Sequence, residues 1–366
     1  MKNKSVLLLD ASGASYPIRV ALENMGCSVF SLGAKPSQFQ ARLAETHFLV
    51  DYRDLNALSK ILDETNCDFV VPGCTDLSFK SYASLNERFR LLDQETIGRL
   101  IGYLNKKDLF ETLERLGLPS LSVIREDVLS GEISGSVIIK PADAYSGRGI
   151  EIHEVSHLTE DRLNTALSEV GSQSTDGRAL IERYLDADLF SMSLFSDGSR
   201  ILVSPVLSEQ VNAEHRVVVS RLASGDVMNQ KSVKRLIDSI CDDLGFSRWF
   251  LHVQFLMDSE SGFAYIIDCA ARCPGDYYGV LVEMGSGFPY VENYARVFSG
   301  AFLSSTQALS VDRQIVRKTF HGFDAIYGAG VDCSGDQMLA FYPDMDWPGD
   351  SSARAGVAFI RSRRPD

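Results

Sequence analysis

The sequence lacks three features, each of which would have assigned it to a broad class of protein. It has no apolar run of the length that a membrane span needs. Its 36 lysines and arginines are outnumbered by 49 aspartates and glutamates, and the formal net charge of −13 argues against a nucleic acid or an anionic membrane as the default partner. Its seven cysteines form no Cys-x-x-Cys pair, which favours reduced thiols in a cytoplasmic protein.

Internal repeats, low-complexity tracts and heptads are also missing. The first apolar run, Val6–Leu9, breaks at Asp10 after too few residues for a signal peptide, so we interpret it as a core strand. The 366 residues, 45% of them hydrophobic and 23% charged, predict a globular protein of two or three domains.

Strand and helix signals alternate over residues 5 to about 100. This alternation predicts a parallel sheet with helices on both faces. The predicted strands and helices are Val6–Leu9, Ile18–Met25, Cys27–Phe30, His47–Asp51, Leu55–Thr65 and Phe69–Gly73. Asp76 follows the last strand, where such sheets present ligand groups, but we prefer to interpret it as a helix N-cap.

The most informative stretch is VIIKPADAYSGRGI, residues 137–150. It predicts a strand, a flexible turn and a returning strand. Lys140 at the strand end is a point charge suited to a phosphate, and Gly147 and Gly149 allow backbone N–H groups to approach phosphate oxygens. No Gly-Lys-Ser/Thr follows the glycines, which excludes a Walker loop, and the returning strand excludes a Rossmann fingerprint. Taken alone, the stretch also fits a surface hairpin with a salt-bridged lysine.

Lys140-Pro141 followed by Ser146-Gly147-Arg148-Gly149 resembles the lysine strand and glycine-rich phosphate loop of the ATP-grasp superfamily. Leu180–Leu185 resembles that family's adenine-binding hinge, and Ile266–Asp276 resembles its metal strand, usually Glu-x-Asn-x-Arg. The resemblance covers roughly residues 5 to 300. It implies an α/β fold, α+β in the grasp, with an N-terminal parallel α/β domain before a two-lobed ATP-grasp. It also implies ATP and Mg²⁺ as cofactors.

The same resemblance implies a division of the chain into four parts. They are a Rossmann-like domain at 1–100, lobe A with the glycine-rich loop at 101–190, lobe B with the metal strand at 191–300 and a strand-rich cap at 301–366.

Further nucleotide contacts are implied by position. A helix predicted over Lys106–Leu116 opens with the lysine that reaches the α-phosphate in similar ligases; Lys107 is a close rival, and a solvated helix-start lysine is the alternative. In the hinge, Glu182 and Leu185 would read adenine through their backbone groups, with Arg183 between them and Tyr184 packing near the base. The family's ribose-binding glutamate falls here on Leu189, and Asp186 and Asp188 are the nearby substitutes.

The resemblance places the metal on two antiparallel strands, 249–257 and 263–269, where Gln254 and Asp268 are predicted to pair side by side. Where the family usually has a glutamate and an asparagine, this chain has Gln254 and Ala270. A weaker Mg²⁺ site is therefore expected unless Asp258, Glu209 or substrate oxygens complete it. His252 is expected to point to the opposite face and to pack in the core.

Arg272 closes the metal-strand motif. A guanidinium there suits the γ-phosphate or an anionic intermediate, and a structural salt bridge is the alternative. Pro274-Gly275 would fix a turn that delivers Asp276 towards substrate.

The predicted function is an ATP-dependent carboxylate–amine ligase that works through an acyl phosphate. Lys106 and Lys140 would neutralise phosphate charge, Gln254 and Asp268 would hold Mg²⁺, and Arg272 would stabilise the anion. The Arg-x-Pro-Gly-Asp ending resembles ligases of peptide, natural-product or polysaccharide biosynthesis more than biotin carboxylase or D-alanine ligase. A non-catalytic nucleotide-binding protein and an ATP-grasp kinase are the alternatives. The expected partners are small-molecule carboxylates and amines, with a homodimer left open.

Overall fold

The computed structural model of the chain describes residues 2–43, 46–89, 92–142, 149–305, 312, 314–321, 337–343 and 354–362. Within these residues the strands form three sheets.

The first sheet is parallel, with its four described strands in the order β3-β2-β1-β4. The residues of Val6–Leu9 are fully buried, as a parallel sheet covered on both faces requires. Its elements are β1 (Lys4–Leu9), α1 (Tyr16–Asn24), β2 (Cys27–Gly33), α2 (Phe39–Leu43), β3 (His47–Leu49), α3 (Leu55–Thr65), β4 (Phe69–Pro72) and α4 (Asp76–Phe89). The predicted parallel α/β order is confirmed, and α3 has the predicted bounds.

Two helices, α5 (Gln94–Leu104) and α6 (Lys106–Arg115), lead to the second sheet. That sheet pairs its four described strands antiparallel in the order β5-β8-β6-β7. Its elements are β5 (Ser122–Val123), α7 (Arg125–Ser130), β6 (Ser136–Pro141), β7 (Glu151–Glu154), α8 (Glu160–Gly171) and β8 (Ala179–Arg183).

The third sheet is antiparallel, and its order within the described residues is β14-β13-β9-β11-β12-β15-β17-β16, with β10 beside β9. Its elements are β9 (Asp188–Asp197), β10 (Ile201–Val203), β11 (Leu207–Val211), β12 (Val217–Leu222), α9 (Gly225–Asn229), α10 (Lys231–Leu244), β13 (Arg248–Met257), β14 (Ala264–Ala270), α11 (Tyr278–Ser286), α12 (Tyr290–Phe298), β15 (Ile315–His321), β16 (Gln337–Pro343) and β17 (Arg354–Arg361). The C-terminal strands therefore extend this sheet; the four-part division of the chain stays a prediction.

The buried apolar side chains form two separate hydrophobic cores, so the second sheet is divided from the rest of the protein. One core joins the parallel sheet to the third sheet, for example through the edge-on contact of Tyr82 with Phe298 at 5.1 Å between ring centroids. A separate, smaller core lies under the second sheet, built on Val137, Ile139 and Ile181 against helix α8. Because the second sheet has its own core, it forms a distinct lobe.

None of the helices in the described part of the chain combines the length and the apolar character that a membrane span needs. None of the six cysteines within the described residues forms a disulfide, and the reduced state of the thiols stays a prediction.

Candidate active site

Lys140 lies at the end of β6, which a β-branched run forms. Its side chain is 7% exposed, and Nζ lies 2.5 Å from Oε1 of Glu182 on β8. Ile138 pairs with Glu182 and Lys140 with Leu180, so both charged side chains stand on one face of the sheet. Sequence reasoning assigned Glu182 a backbone role only and missed this ion pair. A single carboxylate inside an apolar strand is the signal that could have found it, because a buried charge needs a partner.

The predicted phosphate loop is described only at its end. Ser146, Gly147 and Arg148 lie outside the described residues. Gly149 has a φ of +68°, a backbone conformation that favours glycine, and a Cβ there would displace the side-chain amide of Gln173. The phosphate contacts of the loop stay a prediction.

The predicted hinge, Leu180–Leu185, overlaps the end of β8, and two of its backbone N–H groups are bonded to neighbouring segments. Arg183 donates to the carbonyl of Leu121 at 2.8 Å, and Tyr184 donates to that of Ser136 at 2.9 Å. Among the described residues, no group accepts from the N–H of Leu185. This donor suits the predicted contact with a base.

The burial of the nearby residues does not identify which of them would contact the ribose. Leu189 is half-buried near the start of β9, and Asp186 and Asp188 are both exposed. The substitute for the family's ribose glutamate therefore stays a prediction.

Helix α6 begins at Lys106, after Asn105 caps it by accepting from the N–H of Lys107 at 3.1 Å. Lys106 is half-buried, and its charge acts on Asp268, whereas Lys107 is exposed. The geometry favours Lys106 over its rival as the residue that faces the site.

Asp268 is influenced by charged groups from several parts of the predicted site. Burial raises the pKa of this carboxyl, while Lys106, Lys140 and Arg272 lower it. Two lysines from the first half of the chain and an arginine from the second therefore act on one carboxylate. The predicted grouping of Lys140 and Asp268 in one site stays a prediction.

Gln254 and Asp268 face each other across β13 and β14, as predicted. Nε2 of Gln254 donates to Oε2 of Glu209 at 2.7 Å. Asp258 accepts from Ser261 in the hairpin turn, so the turn already uses its carboxylate.

The donor set decides whether Mg²⁺ fits this position. In the described residues no group of three or more His, Cys, Asp or Glu side chains could hold a metal. One carboxylate and one amide oxygen on adjacent strands do fit Mg²⁺ that takes its remaining ligands from phosphates and water.

Arg272 follows β14 and donates through Nε to Oδ1 of Asp76 at 2.8 Å, with 19% of the Arg272 side chain exposed. Asp76 is the first residue of α4, so the N-cap interpretation is wrong: its carboxylate joins the parallel-sheet unit to the arginine. The salt bridge that was the alternative interpretation of Arg272 is thus present in the structure. Both side chains of the pair are partly exposed to solvent.

The turn after Arg272 is held in an uncommon conformation. Asp276 and Tyr277 have φ angles of 57° and 56°, which non-glycine residues adopt at a cost of roughly 1–2 kcal/mol each. Nη1 of Arg317, on β15, donates to the carbonyl of Asp276 at 3.2 Å. This contact supports the turn that the Pro-Gly pair was predicted to form.

His252 packs as predicted, but on the other face from the one expected. Residues two apart in a regular strand point the same way, so it shares a face with Gln254. Its Nδ1 lies 2.9 Å from Oγ of Ser193, and its ring packs edge-on against Tyr278. Burial, with nearby guanidinium charge, lowers the pKa of His252 to about 3, which leaves it neutral near pH 7.

No protein-family model matches the chain. The formate-dependent phosphoribosylglycinamide formyltransferase of Synechococcus sp. (strain CC9902) is 19% identical over 382 residues, which span 98% of this chain and 92% of that protein. The protein of the same name from Prochlorococcus marinus (strain MIT 9313) is 23% identical over 226 residues, and the chain spans 57% of its length.

Solved structures resemble the chain over its whole length. N5-carboxyaminoimidazole synthetase from Staphylococcus aureus in complex with ADP gives a TM-score of 0.79 at 15% identity, over 100% of this chain and 95% of that one. The chain described here therefore has the ATP-grasp fold. A biotin carboxylase from Campylobacter jejuni in a β-γ-ATP complex gives a TM-score of 0.73 at 16% identity, over 98% of this chain and 88% of that one.

The ATP-grasp fold accounts for the two cores. The second sheet carries Lys140 on one lobe, and the third sheet carries Asp268 on the other, so these two predicted site residues stand on different lobes. Three of the predicted site residues, Lys140, Arg272 and Gln254, each contact an acidic side chain. These acidic partners, Glu182, Asp76 and Glu209, come from three different parts of the chain.

Proposed function

We propose that this ATP-grasp protein is an ATP-dependent carboxylate–amine ligase. The observation that carries the proposal is the side-by-side register of Gln254 and Asp268 on the third sheet, with the charges of Lys106, Lys140 and Arg272 acting on Asp268. This arrangement sets cationic groups for a triphosphate against a carboxylate suited to Mg²⁺. The relative and the similar structures bear the names of a formyltransferase, a synthetase and a carboxylase, which supports the same class of reaction.

In the proposed reaction, an oxygen of the acid substrate attacks the γ-phosphorus, and the bond from that phosphorus to the β–γ bridging oxygen breaks. This gives an acyl phosphate and ADP. The amine nitrogen then attacks the acyl carbon, the bond to the phosphate oxygen breaks, and the amine loses a proton. The products are an amide, ADP and phosphate.

The chain's residues have distinct roles in this proposal. Lys106 and Lys140 neutralise phosphate charge, and Arg272 stabilises the anion that develops on the acyl group. The N–H of Leu185 and the carbonyl of Glu182 bind adenine. The 145–149 loop was predicted to close over the β- and γ-phosphates and exclude the water that would hydrolyse the acyl phosphate; residues 145–148 lie outside the described residues, so this role stays a prediction.

Asp268 and the amide oxygen of Gln254 would hold Mg²⁺. When bound, the ion supplies charge neutralisation between the phosphate oxygens. Since only one of these two ligands is charged, we expect weaker Mg²⁺ binding than in a site with two carboxylates.

One observation favours a second candidate, a nucleotide-binding protein without ligase activity. Gln254 and Ala270 stand where the family usually has a glutamate and an asparagine, and the described residues offer no three-carboxylate cluster. Such a protein would bind ADP with Mg²⁺ but would release no ADP from ATP with any acid. A kinase would instead release ADP and leave a stable phosphorylated product.

The deciding experiment is hydroxylamine trapping with a panel of small acids, beginning with formate, the acid named in a relative. An acyl phosphate reacts with hydroxylamine to give a hydroxamate, so hydroxamate formed in step with ADP supports the ligase. The control is Arg272→Lys, which keeps the charge but loses the planar fork and should yield less hydroxamate with ADP binding retained. A wild-type protein that binds no nucleotide would overturn the proposal.

We further propose small-molecule carboxylate and amine partners and a cytoplasmic location. The peptide, natural-product or polysaccharide class of substrate and the homodimer stay predictions.

A further inference from the structure

Glu209, on β11, is fixed by two side chains from neighbouring strands. It is 7% exposed, and its Oε1 accepts from Oγ of Ser191 at 3.0 Å. Its Oε2 accepts from Nε2 of Gln254 at 2.7 Å. Because both oxygens are bonded, the carboxylate cannot turn without losing a hydrogen bond in a buried position.

The order of strands gives this contact a direction. In the sheet the strands lie in the order β14-β13-β9-β11. Glu209 on β11 is therefore two strands away from Gln254 on β13, and Asp268 on β14 lies next to Gln254 on the opposite side. A side-chain amide carries its nitrogen and its oxygen on opposite branches of one carbon. With the nitrogen bonded to Glu209, the oxygen of Gln254 is directed towards the Asp268 side.

The reverse orientation of the amide is unfavourable. One oxygen of Glu209 accepts from Ser191 and the other from the amide nitrogen of Gln254, so a flipped Gln254 would replace its donor with an oxygen against a carboxylate oxygen in a buried site. Glu209 therefore selects one of the two orientations that a glutamine otherwise adopts with equal ease.

On the basis of the proposed function, we propose that Glu209 is a positioning residue for the divalent cation. It holds the amide of Gln254 with the carbonyl oxygen facing Asp268, so that a neutral side chain serves as a metal ligand. The glutamine is then one half of a Glu209–Gln254 unit, and the usual glutamate has not simply been lost.

The test measures Mn²⁺ binding directly, from the electron paramagnetic resonance signal of free Mn²⁺, with ADP present at saturation. Glu209→Met keeps the volume but removes the acceptor. We expect the Kd for Mn²⁺ to rise about 10- to 100-fold, the usual effect of losing a group that orients a metal ligand. Glu283→Gln is the matched control, because it neutralises a half-buried carboxylate on α11 that accepts from the backbone N–H of Val291 and should leave Mn²⁺ binding unchanged.

A swap variant separates positioning from mere support of the fold. In Glu209→Gln/Gln254→Glu, the amide on β11 donates to the carboxylate on β13, so the hydrogen bond is kept with its roles exchanged. We expect Mn²⁺ affinity at least equal to the wild type, since the oriented ligand is now charged.

Three results would count against this inference. Wild-type Mn²⁺ affinity in Glu209→Met would overturn it, as would a swap variant that binds Mn²⁺ as weakly as Glu209→Met while melting at the wild-type temperature. A wild type that binds no Mn²⁺ with ADP would overturn the proposed function, and this inference with it.

Discussion

Lys140 carries its positive charge into a position where less than a tenth of the side chain meets solvent, opposite the equally buried Glu182. The pair therefore has two roles that a mutation can separate. One is electrostatic, because each charge compensates the other, and the second is the proposed contact of Lys140 with phosphate.

Lys140→Met should destabilise the fold by about 3–5 kcal/mol, because it leaves Glu182 buried without its partner. Lys140→Met/Glu182→Leu should recover most of that loss, since an apolar pair can replace a buried ion pair. Urea denaturation measures the stability, and ADP titration measures the binding. We expect ADP binding to be weak in both variants; full binding in the stable double variant would remove Lys140 from the nucleotide site.

Glu283 supplies a pH dependence that can be worked out in sign. Burial, with the nearby Glu292, raises its pKa from the usual 4.5 to about 7. The folded state thus binds more protons than the unfolded state between these values, and stability falls as the pH rises from 4.5 to 7. The Glu283→Gln variant cannot titrate there.

We therefore expect the stability of Glu283→Gln relative to the wild type to increase by a few kcal/mol between pH 4.5 and pH 8. Denaturant midpoints across this range give the difference, which cancels the shared titration of other carboxyls. A constant difference would mean that Glu283 titrates normally.

At the scale of elements, local patterns were sufficient for much of the fold. Helix α3 has the predicted bounds, because its apolar periodicity is complete within the segment. The hairpin turn alone does not set the pairing of Gln254 with Asp268, because a β-bulge lies between the turn and this pair. The register next to the turn, Phe255 with Ile266, would place Gln254 opposite Ile267 if it continued regularly.

Contacts between distant segments were not predictable from pattern. Arg272 meets Asp76 across 196 residues, and Glu209 meets Gln254 across 45. No periodicity encodes which strands become neighbours, so the strand order β14-β13-β9-β11 and the addition of the C-terminal strands to the same sheet came from the structure alone.

Helix α6 is anchored at its far end by Asp243 of α10, whose side chain is fully buried. The carboxylate accepts from Arg115 at 2.6 Å, from Arg99 at 2.9 Å and from Tyr103 at 2.9 Å. Since Lys106 begins α6, this cluster also fixes the position of a proposed phosphate contact.

Asp243→Leu should lower the free energy of unfolding by about 1–3 kcal/mol, because the hydroxyl of Tyr103 is left buried and unpaired. The arginines are partly exposed and can turn to water, which keeps the loss below that of a fully buried pair. Glu160→Gln breaks the Arg125–Glu160 pair, also 2.6 Å long but exposed, and should cost less than about 1 kcal/mol. Equal losses in the two variants, by urea denaturation, would contradict the argument from burial.

At the scale of the whole molecule, the proposed nucleotide site draws on both lobes, and each lobe has its own core. A ligand that binds both lobes should stabilise them together, whereas a ligand of one lobe would leave the other unchanged. With ADP and Mg²⁺ at 100 times the Kd, we expect the stability to rise by about 2.7 kcal/mol. Hydrogen exchange should slow simultaneously over β6 and β8 on one side of the cleft and over α6 and β14 on the other.

Inorganic phosphate with Mg²⁺ is the matched control, because it offers the same charge chemistry without a base for the hinge. It should protect β14 and leave β8, which leads into the hinge, at its unliganded exchange rate. Protection by ADP confined to the second sheet would mean that Asp268 and Arg272 take no part in nucleotide binding. Only simultaneous protection requires the nucleotide to bridge the cleft, because the two cores give the lobes no other reason to respond together.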